Sequence, residues 1–254
     1  MIRWFRDRGA SGERGTTLVE LMVTMAIFTV VIVAITQLSI NFQRASAMTA
    51  NRQEQVDIGR TSVETMTSVL RTSVMPSQLS NSCSITVCTQ DAFVAAQPYS
   101  VQFYANYRNP GNTIGPSRVT YTVSPAEAGG ATITQKIQRP DSPAPGASGY
   151  LYCAAEAIGA SAPCKARLTT VVLAHDIVTT TGTPTFTYYD NYGVQLVVGT
   201  SGSLTTDQLK RIAAIELTVT SHVTQGVQAQ PTTYIQRVTL PNAQAVIRNT
   251  EGAS

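Results

Sequence analysis

One carboxylate in this sequence lies directly before a long apolar run. Glu20 precedes residues 21–43, about 23 residues without a charge in a chain of 254. At about 1.5 Å per residue, a helix of this length crosses a hydrocarbon core about 30 Å thick. A carboxylate at the centre of such a span costs about 2.5 kcal/mol or more, so we interpret Glu20 as a functional residue that needs a partner. The alternative is that Glu20 lies at the membrane interface and contacts water.

The segment before Glu20 predicts the direction of the span. Residues 1–15 hold four arginines against two acids, a net charge of +2, and such segments stay on the cytoplasmic side of the membrane. The apolar run therefore exports its C-terminal side. Ala45-Ser-Ala47 fits the cleavage site of a secretory signal peptide, but the run is longer than the roughly 7 to 15 apolar residues of such signals. An uncleaved single-span anchor is a further alternative.

Four cysteines follow the span: Cys83, Cys88, Cys153 and Cys164. An even number of cysteines in an oxidising compartment indicates two disulfides, for which three connectivities exist. We favour Cys83 with Cys88 and Cys153 with Cys164, because both bonds close short loops and each would contribute about 2 to 4 kcal/mol. A zinc site of four thiolates is the rival interpretation. The spacing lacks the paired C-x-x-C form, so we predict no metal site.

Catalytic chemistry finds little support in the sequence. His175 and His222 are the two histidines, and His175 with Asp176 falls in a strand-like run where a surface or core role is expected. The sequence contains no G-x-S-x-G, H-E-x-x-H or phosphate-loop motif of the kinds that mark common enzymes. We therefore predict no catalytic residue, no cofactor and no enzyme.

The charge totals also limit the partners. The chain has a net charge of +3, and loss of the +2 leader would leave about +1. A nucleic-acid partner stays open but gains no support from these totals. The tyrosines are expected to be sheet side chains for the most part, with an adhesive surface or pairing with bases as the alternative. They are Tyr99, Tyr104, Tyr107, Tyr121, Tyr150, Tyr152, Tyr188, Tyr189 and Tyr192.

The residues around Glu20 resemble a known signal. Arg14-Gly-Thr-Thr-Leu-Val-Glu-Leu-Met-Val is similar to the type IV prepilin signal of bacterial pilins and pseudopilins. The resemblance implies that a prepilin peptidase cuts after Gly15 on the cytoplasmic side. It also implies that Thr16 becomes the modified N-terminus, with Glu20 as the fifth mature residue. Thr16 stands where the family most often has Phe.

The resemblance gives Glu20 its partner. After cleavage Thr16 carries a new ammonium group, and the Glu20 carboxylate of one subunit neutralises the Thr16 ammonium of another within the lipid. Loss of one partner from a buried ion pair costs about 3 to 5 kcal/mol, because it leaves the other charge unpaired. Assembly would pack neighbouring helices through apolar side chains, namely Leu18, Leu21, Ile27, Val30 and Val31.

The elements that position these residues follow from the sequence pattern. Residues 16–75 read as one long helix whose transmembrane half covers about 18–40, and whose second half carries an apolar stripe every seven residues. The stripe comprises Val56, Val63 and Leu70, with Gly59 and Met66 on the neighbouring positions. Pro76 ends the pattern, because its ring fixes φ and removes an N–H.

From residue 76 to residue 254 the sequence predicts a globular domain rich in antiparallel strands. Turn residues such as Gly129-Gly130 separate the strand signals, and residues 140–146 form a loop of the kind that proline and glycine favour. A short helix is expected at 206–212. The expected strands are 99–107, 118–123, 131–138, 167–173, 185–189, 194–198, 214–223 and 234–240.

The C-terminal half carries a second, more diffuse resemblance. Phe186-Thr-Tyr-Tyr-Asp, Leu209-Lys-Arg-Ile-Ala-Ala-Ile-Glu and Tyr234-Ile-Gln-Arg-Val-Thr-Leu-Pro-Asn look like the end of larger minor pilins similar to PilW or J-type pseudopilins. The combined interpretation is an α+β minor pilin or pseudopilin. Its expected partners are the prepilin peptidase, other major and minor pilins or pseudopilins, and the cytoplasmic membrane before assembly at the cell surface. The alternative is a membrane-anchored exported binding module that does not polymerise.

Overall fold

The computed structural model describes residues 17–79, 90–124, 130–179, 182–222 and 230–242. The chain divides into two compact units, with the boundary between Ala47 and Met48. The first unit contains the apolar half of a long helix, and the second contains the rest of that helix and the sheet. The predicted cleavage site, Gly15 and Thr16, and the cysteines Cys83 and Cys88 lie outside the described residues.

The helix α1 runs from Leu18 to Leu70. Within the second unit its buried residues recur on one face at intervals of three and four residues, which is the helical period. Of the predicted stripe, Gly59, Val63, Met66 and Leu70 are buried, whereas Val56 is exposed. The neighbouring Gln55 is buried in place of Val56, because its side-chain and backbone oxygens accept hydrogen bonds from the sheet.

The helix ends at Leu70, five residues before the predicted boundary. Pro76 is the first residue of a short 3₁₀ turn and does not cause the end of the helix. Instead, the backbone leaves the helix to join the sheet, where Val74 N–H donates to the carbonyl of Tyr104 at 2.9 Å and Asn106 N–H donates to that of Thr72 at 2.8 Å. These tertiary hydrogen bonds replace the last helical turn.

Nine strands of the described residues form one antiparallel sheet. They are β1 Phe93–Gln97, β2 Ser100–Ala105, β3 Ser117–Ser124, β4 Ala131–Gln138, β5 Leu168–Ile177, β6 Phe186–Tyr189, β7 Gln195–Leu196, β8 Ala214–Ser221 and β9 Thr232–Thr239. Their order in the sheet is β1-β2-β3-β4-β5-β8-β6-β7, with β9 paired to β8. The contact between β5 and β8 is narrow, because these two strands pair at Ile177 and Ser221 alone. Two short helices, α2 Ala162–Lys165 and α3 Thr206–Lys210, lie between strands.

The core of the second unit lies between the buried face of α1 and one face of the sheet. Phe103, Tyr121, Phe186 and Tyr188 are its largest fully buried side chains, together with Met66 from α1. Alternate residues of β3 and β4 are buried, as expected for strands with one face on a core. The predicted α+β class, a long N-terminal helix with an antiparallel sheet, is confirmed.

The strand predictions agree with the structure except in three places. β1 was not predicted, because its Ala95-Ala96 centre has a low strand propensity. β5 was predicted to end at Leu173 but continues to Ile177. Leu173 is an extra residue between the pairs Thr134–Val172 and Ile133–Ala174. Such a bulge bends a strand without ending it. The helix α2 was also missed, because it has four residues.

Candidate functional site

Thr17 begins the apolar helix as its N-terminal cap. Its hydroxyl oxygen accepts a hydrogen bond from the backbone N–H of Glu20 at 3.3 Å, and its carbonyl accepts one from Leu21 N–H at 3.2 Å. A Thr followed three residues later by Glu is the sequence signal of a capping box. Sequence reasoning missed this role of Thr17, although the signal is present in Thr17-Leu-Val-Glu20.

Glu20 therefore lies in the first turn of α1 and is exposed. The unpaired N–H groups of that turn carry partial positive charge, which favours a carboxylate there. Among the described residues, Glu20 forms no ion pair within the chain.

The apolar run after Glu20 is exposed along its whole length. Every residue from 17 to 46 is exposed, and Phe42 keeps 74% of its surface. By length and composition, α1 is the one helix among the described residues that could cross a membrane. The predicted assembly residues Leu18, Leu21, Ile27, Val30 and Val31 all lie in this exposed run. A continuous apolar surface of this size indicates contact with lipid or with another protein.

The threonine hydroxyl groups in the run are satisfied within the helix. Thr24, Thr29 and Thr36 donate hydrogen bonds to backbone carbonyls three or four residues earlier, at 2.9, 2.8 and 2.8 Å. In hydrocarbon, an unpaired hydroxyl costs several kcal/mol, and this back-bonding removes that cost. The three threonines are therefore compatible with a lipid environment.

The predicted bond between Cys153 and Cys164 is present, with 6.0 Å between the two Cα atoms. It closes the loop that carries α2. Further hydrogen bonds hold Cys153: its N–H donates to the Asp141 carboxylate at 3.2 Å, and its carbonyl accepts from the Gln138 amide. The other predicted pair, Cys83 with Cys88, falls outside the described residues.

The structure places the backbone of His222 beside that of Asp176, the neighbour of His175. His175 is exposed, and Asp176 contributes its backbone carbonyl to the N–H of His222 at 2.9 Å. Within the described ranges, no group of three His, Cys, Asp or Glu side chains could hold a metal ion.

The tyrosines differ in exposure: Tyr104, Tyr121, Tyr150 and Tyr188 are buried, whereas Tyr192 is exposed.

Comparison with known proteins gives one match. Residues 11–36 match the family described as the prokaryotic N-terminal methylation motif. The matched segment contains Gly15, Thr16, Glu20 and the first half of the apolar run, and it supports a type IV pilin-like chain. No curated protein and no solved structure matches the chain.

The match indicates how the chain is processed and where it is placed. The motif indicates a substrate of prepilin peptidase in a pilus or pseudopilus system. With the exposed apolar helix, it indicates a protein that is first anchored in a membrane and later placed in a surface fibre. Pilin-like chains of this class are structural subunits.

Proposed function

We propose that this chain is a minor pilin or pseudopilin that initiates, enters or caps a type IV pilus or a type II secretion pseudopilus. In this proposal, residues 1–15 form the leader, residues 16–75 the helical segment with its transmembrane part at about 18–40, and residues 76–254 the globular domain. Prepilin peptidase cuts between Gly15 and Thr16, and the new N-terminus is modified. The chain performs no catalysis of its own.

The observation that carries the proposal is the setting of Glu20. It is the one charged residue among the exposed residues 17–43, and it forms no ion pair with another described residue. Because a carboxylate in a span is costly, it is expected to serve a function. Cleavage after Gly15 would place an ammonium group on Thr16, four residues before it in the chain.

A partner in another subunit suits this geometry better than the residue's own N-terminus. The Glu20 N–H already donates to Thr17, so the first turn of the helix is formed without the carboxylate. The carboxylate of one subunit then neutralises the Thr16 ammonium of a neighbour, and one buried pair replaces two unpaired charges. The exposed apolar side chains from Leu18 to Val31 supply the contact between the helices.

The size and the form of the second unit support a low-copy subunit. Its sheet carries long connections between strands, including residues 139–161 between β4 and α2. An initiating or tip subunit needs to present such a domain only at one end of a fibre. The repeating subunit, in contrast, must bury its surface against many copies.

The test separates the capping role that Thr17-Leu-Val-Glu20 predicts for Glu20 from the charge-pairing role proposed here. Glu20→Gln keeps a residue that completes a capping box but removes the charge, whereas Glu20→Val removes both. Glu54→Gln is the matched control, because Glu54 is exposed on the same helix beyond the apolar run. Each variant is co-expressed with the prepilin peptidase and the other pilins of its system. The N-terminal mass, the membrane content and the incorporation into sheared fibres are then measured.

We expect all three variants to be cleaved after Gly15 and retained in the membrane. Glu20→Gln and Glu20→Val should both fail to enter the fibre, while Glu54→Gln should enter normally. Normal incorporation of Glu20→Gln at equal protein level would refute the charge-pairing role. Normal incorporation of both Glu20 variants, or a mature chain that begins at Met48, would instead support a non-polymerising anchor or conventional signal cleavage.

A further inference from the structure

Three arginines meet at one end of the sheet. Arg108 follows β2, Arg139 follows β4 and Arg167 precedes β5. Because these strands are antiparallel neighbours, the ends of β2 and β4 and the beginnings of β3 and β5 lie at the same end. All three side chains line one cleft of about 240 Å³.

Two of these arginines oppose each other directly. The backbone N–H of Arg139 donates to the carbonyl of Arg167 at 3.0 Å, so the two residues form a cross-strand pair. Like charges in such a pair destabilise a sheet. Asp141 accepts a hydrogen bond from Arg167 at 3.1 Å and neutralises one charge. Within the described residues, neither Arg139 nor Arg108 forms an ion pair, so the cleft holds an excess of positive charge.

The cleft also contains flat and apolar surfaces beside the cations. The guanidinium carbon of Arg108 lies 5.2 Å from the centre of the Tyr107 ring, and Ile114 lines the same cleft. An adjoining cleft of about 470 Å³ shares Ile114, Arg139 and Arg167 and is lined by three prolines, Pro140, Pro143 and Pro163. Cations beside aromatic and apolar side chains are typical of sites for single-stranded nucleic acid.

The loop that presents Arg108 is fixed in position. Arg108 has a positive φ of 50°, a backbone conformation that non-glycine residues seldom adopt. The Asn109 side-chain oxygen accepts a hydrogen bond from Ile114 N–H at 2.8 Å. A Cβ atom on Gly115 would lie 2.6 Å from the Tyr150 ring, so the loop packs closely against the sheet domain. A site held in this way loses little conformational entropy when a ligand binds.

We propose that this arginine cleft binds single-stranded nucleic acid. Arg139 and Arg167 contact consecutive phosphates, and a base stacks beside Arg108 and Tyr107. A guanidinium group matches phosphate oxygens in a bidentate fashion. A duplex keeps its bases stacked inside, so it would meet only the charges. The proposal does not depend on assembly, since every residue of the cleft belongs to one chain.

The test measures binding of a short fluorescent oligodeoxythymidine to the full chain in non-ionic detergent by anisotropy, over a series of salt concentrations. Arg108→Gln and Arg139→Gln remove one charge each from the cleft. Arg60→Gln is the matched control, because Arg60 is an exposed arginine on α1 that pairs only with Glu64. Competitors at equal charge concentration are the same sequence as a duplex and hyaluronate, a polyanion that carries carboxylates.

We expect each cleft variant to bind about tenfold more weakly or worse, as for loss of a charge-assisted hydrogen bond. The slope of log K against log salt should fall by about 0.7 for each arginine removed. Arg60→Gln should bind like the wild type. The unliganded Arg139→Gln protein should unfold close to the wild-type temperature, because Arg139 forms no ion pair with another described residue and the Arg167–Asp141 pair is kept.

Three results would overturn the proposal. Equal binding by Arg108→Gln, Arg139→Gln and the wild type would show that the oligonucleotide binds elsewhere. Equal competition by hyaluronate would show a general polyanion site, and equal competition by the duplex would refute the stacking of a base. If Arg139→Gln unfolds at a clearly lower temperature, the binding of Arg108→Gln alone decides whether the oligonucleotide binds in the cleft.

Discussion

Removal of the Cys153–Cys164 bond should destabilise the second unit by an amount that the structure allows us to estimate. The two residues are 11 apart in the sequence. Closing a loop of about this length removes chain entropy from the unfolded state worth about 3 kcal/mol. For a domain of about 200 residues, 1 kcal/mol shifts the unfolding temperature by about 2 to 4 °C. The double variant Cys153→Ser with Cys164→Ser should therefore unfold about 6 to 12 °C below the wild type.

The assay is near-ultraviolet circular dichroism of the full chain in detergent during heating. All ten tyrosines of the chain lie in the second unit, so the tyrosine part of this signal follows the sheet domain. The variant Cys153→Ala with Cys164→Ala controls for the polarity of serine, because Cys164 is buried. A shift below about 2 °C in both variants would refute the loop-closure argument. It would show that the hydrogen bonds of Cys153 with Gln138 and Asp141 hold this loop without the disulfide.

Two further predictions concern buried polar groups. Tyr188→Phe should lower the free energy of unfolding by about 1 to 3 kcal/mol, because the buried Tyr188 hydroxyl donates to the carbonyls of Gln97 at 2.8 Å and Ser100 at 3.3 Å. Thermal unfolding measures this loss, and Tyr192→Phe at an exposed site should show none. Burial by itself raises the pKa of Asp190. Hydrogen bonds from Val194 N–H, the Arg211 guanidinium and Tyr192 N–H together lower the pKa by more than burial raises it, so the pKa lies below the ordinary value. Its stabilising contribution is therefore complete above the ordinary pKa of about 4 and is lost as the pH falls through the lowered value. Urea unfolding at a series of pH values should show this loss in the wild type and not in Asp190→Asn, and parallel profiles would contradict it.

The long helix and the sheet were predictable because their signals are local. The uncharged run of residues 21–43 indicates an apolar environment by its own composition, whatever the rest of the chain contains. β4 was predicted with its observed bounds, since Thr and Ile alternate in it between Gly130 and Pro140. The end of α1 was placed too late, because Leu70 is followed by residues that exchange helical hydrogen bonds for bonds to β2. A tertiary contact of this kind leaves no mark in the helical pattern.

Glu20 shows a different limit of sequence reasoning. Its charge within an apolar run indicates function, but Thr17-Leu-Val-Glu20 is also a capping box, and the structure shows the Thr17 half of that box. The sequence thus predicts two roles for a single carboxylate, one within the helix and one outside it. The residue types alone give no order of importance to these two roles. Glu20→Gln is informative for this reason, because it keeps the first role and removes the second.

The arginine cleft was hidden from the sequence because charge totals average over the chain. Arg108, Arg139 and Arg167 are about 30 residues apart in the sequence, and acids elsewhere nearly cancel their charge. The sheet register brings Arg139 opposite Arg167, and the order of the strands adds the loop of Arg108 beside them. The net charge of a chain therefore says little about polyanion binding when a sheet gathers its cations at one end.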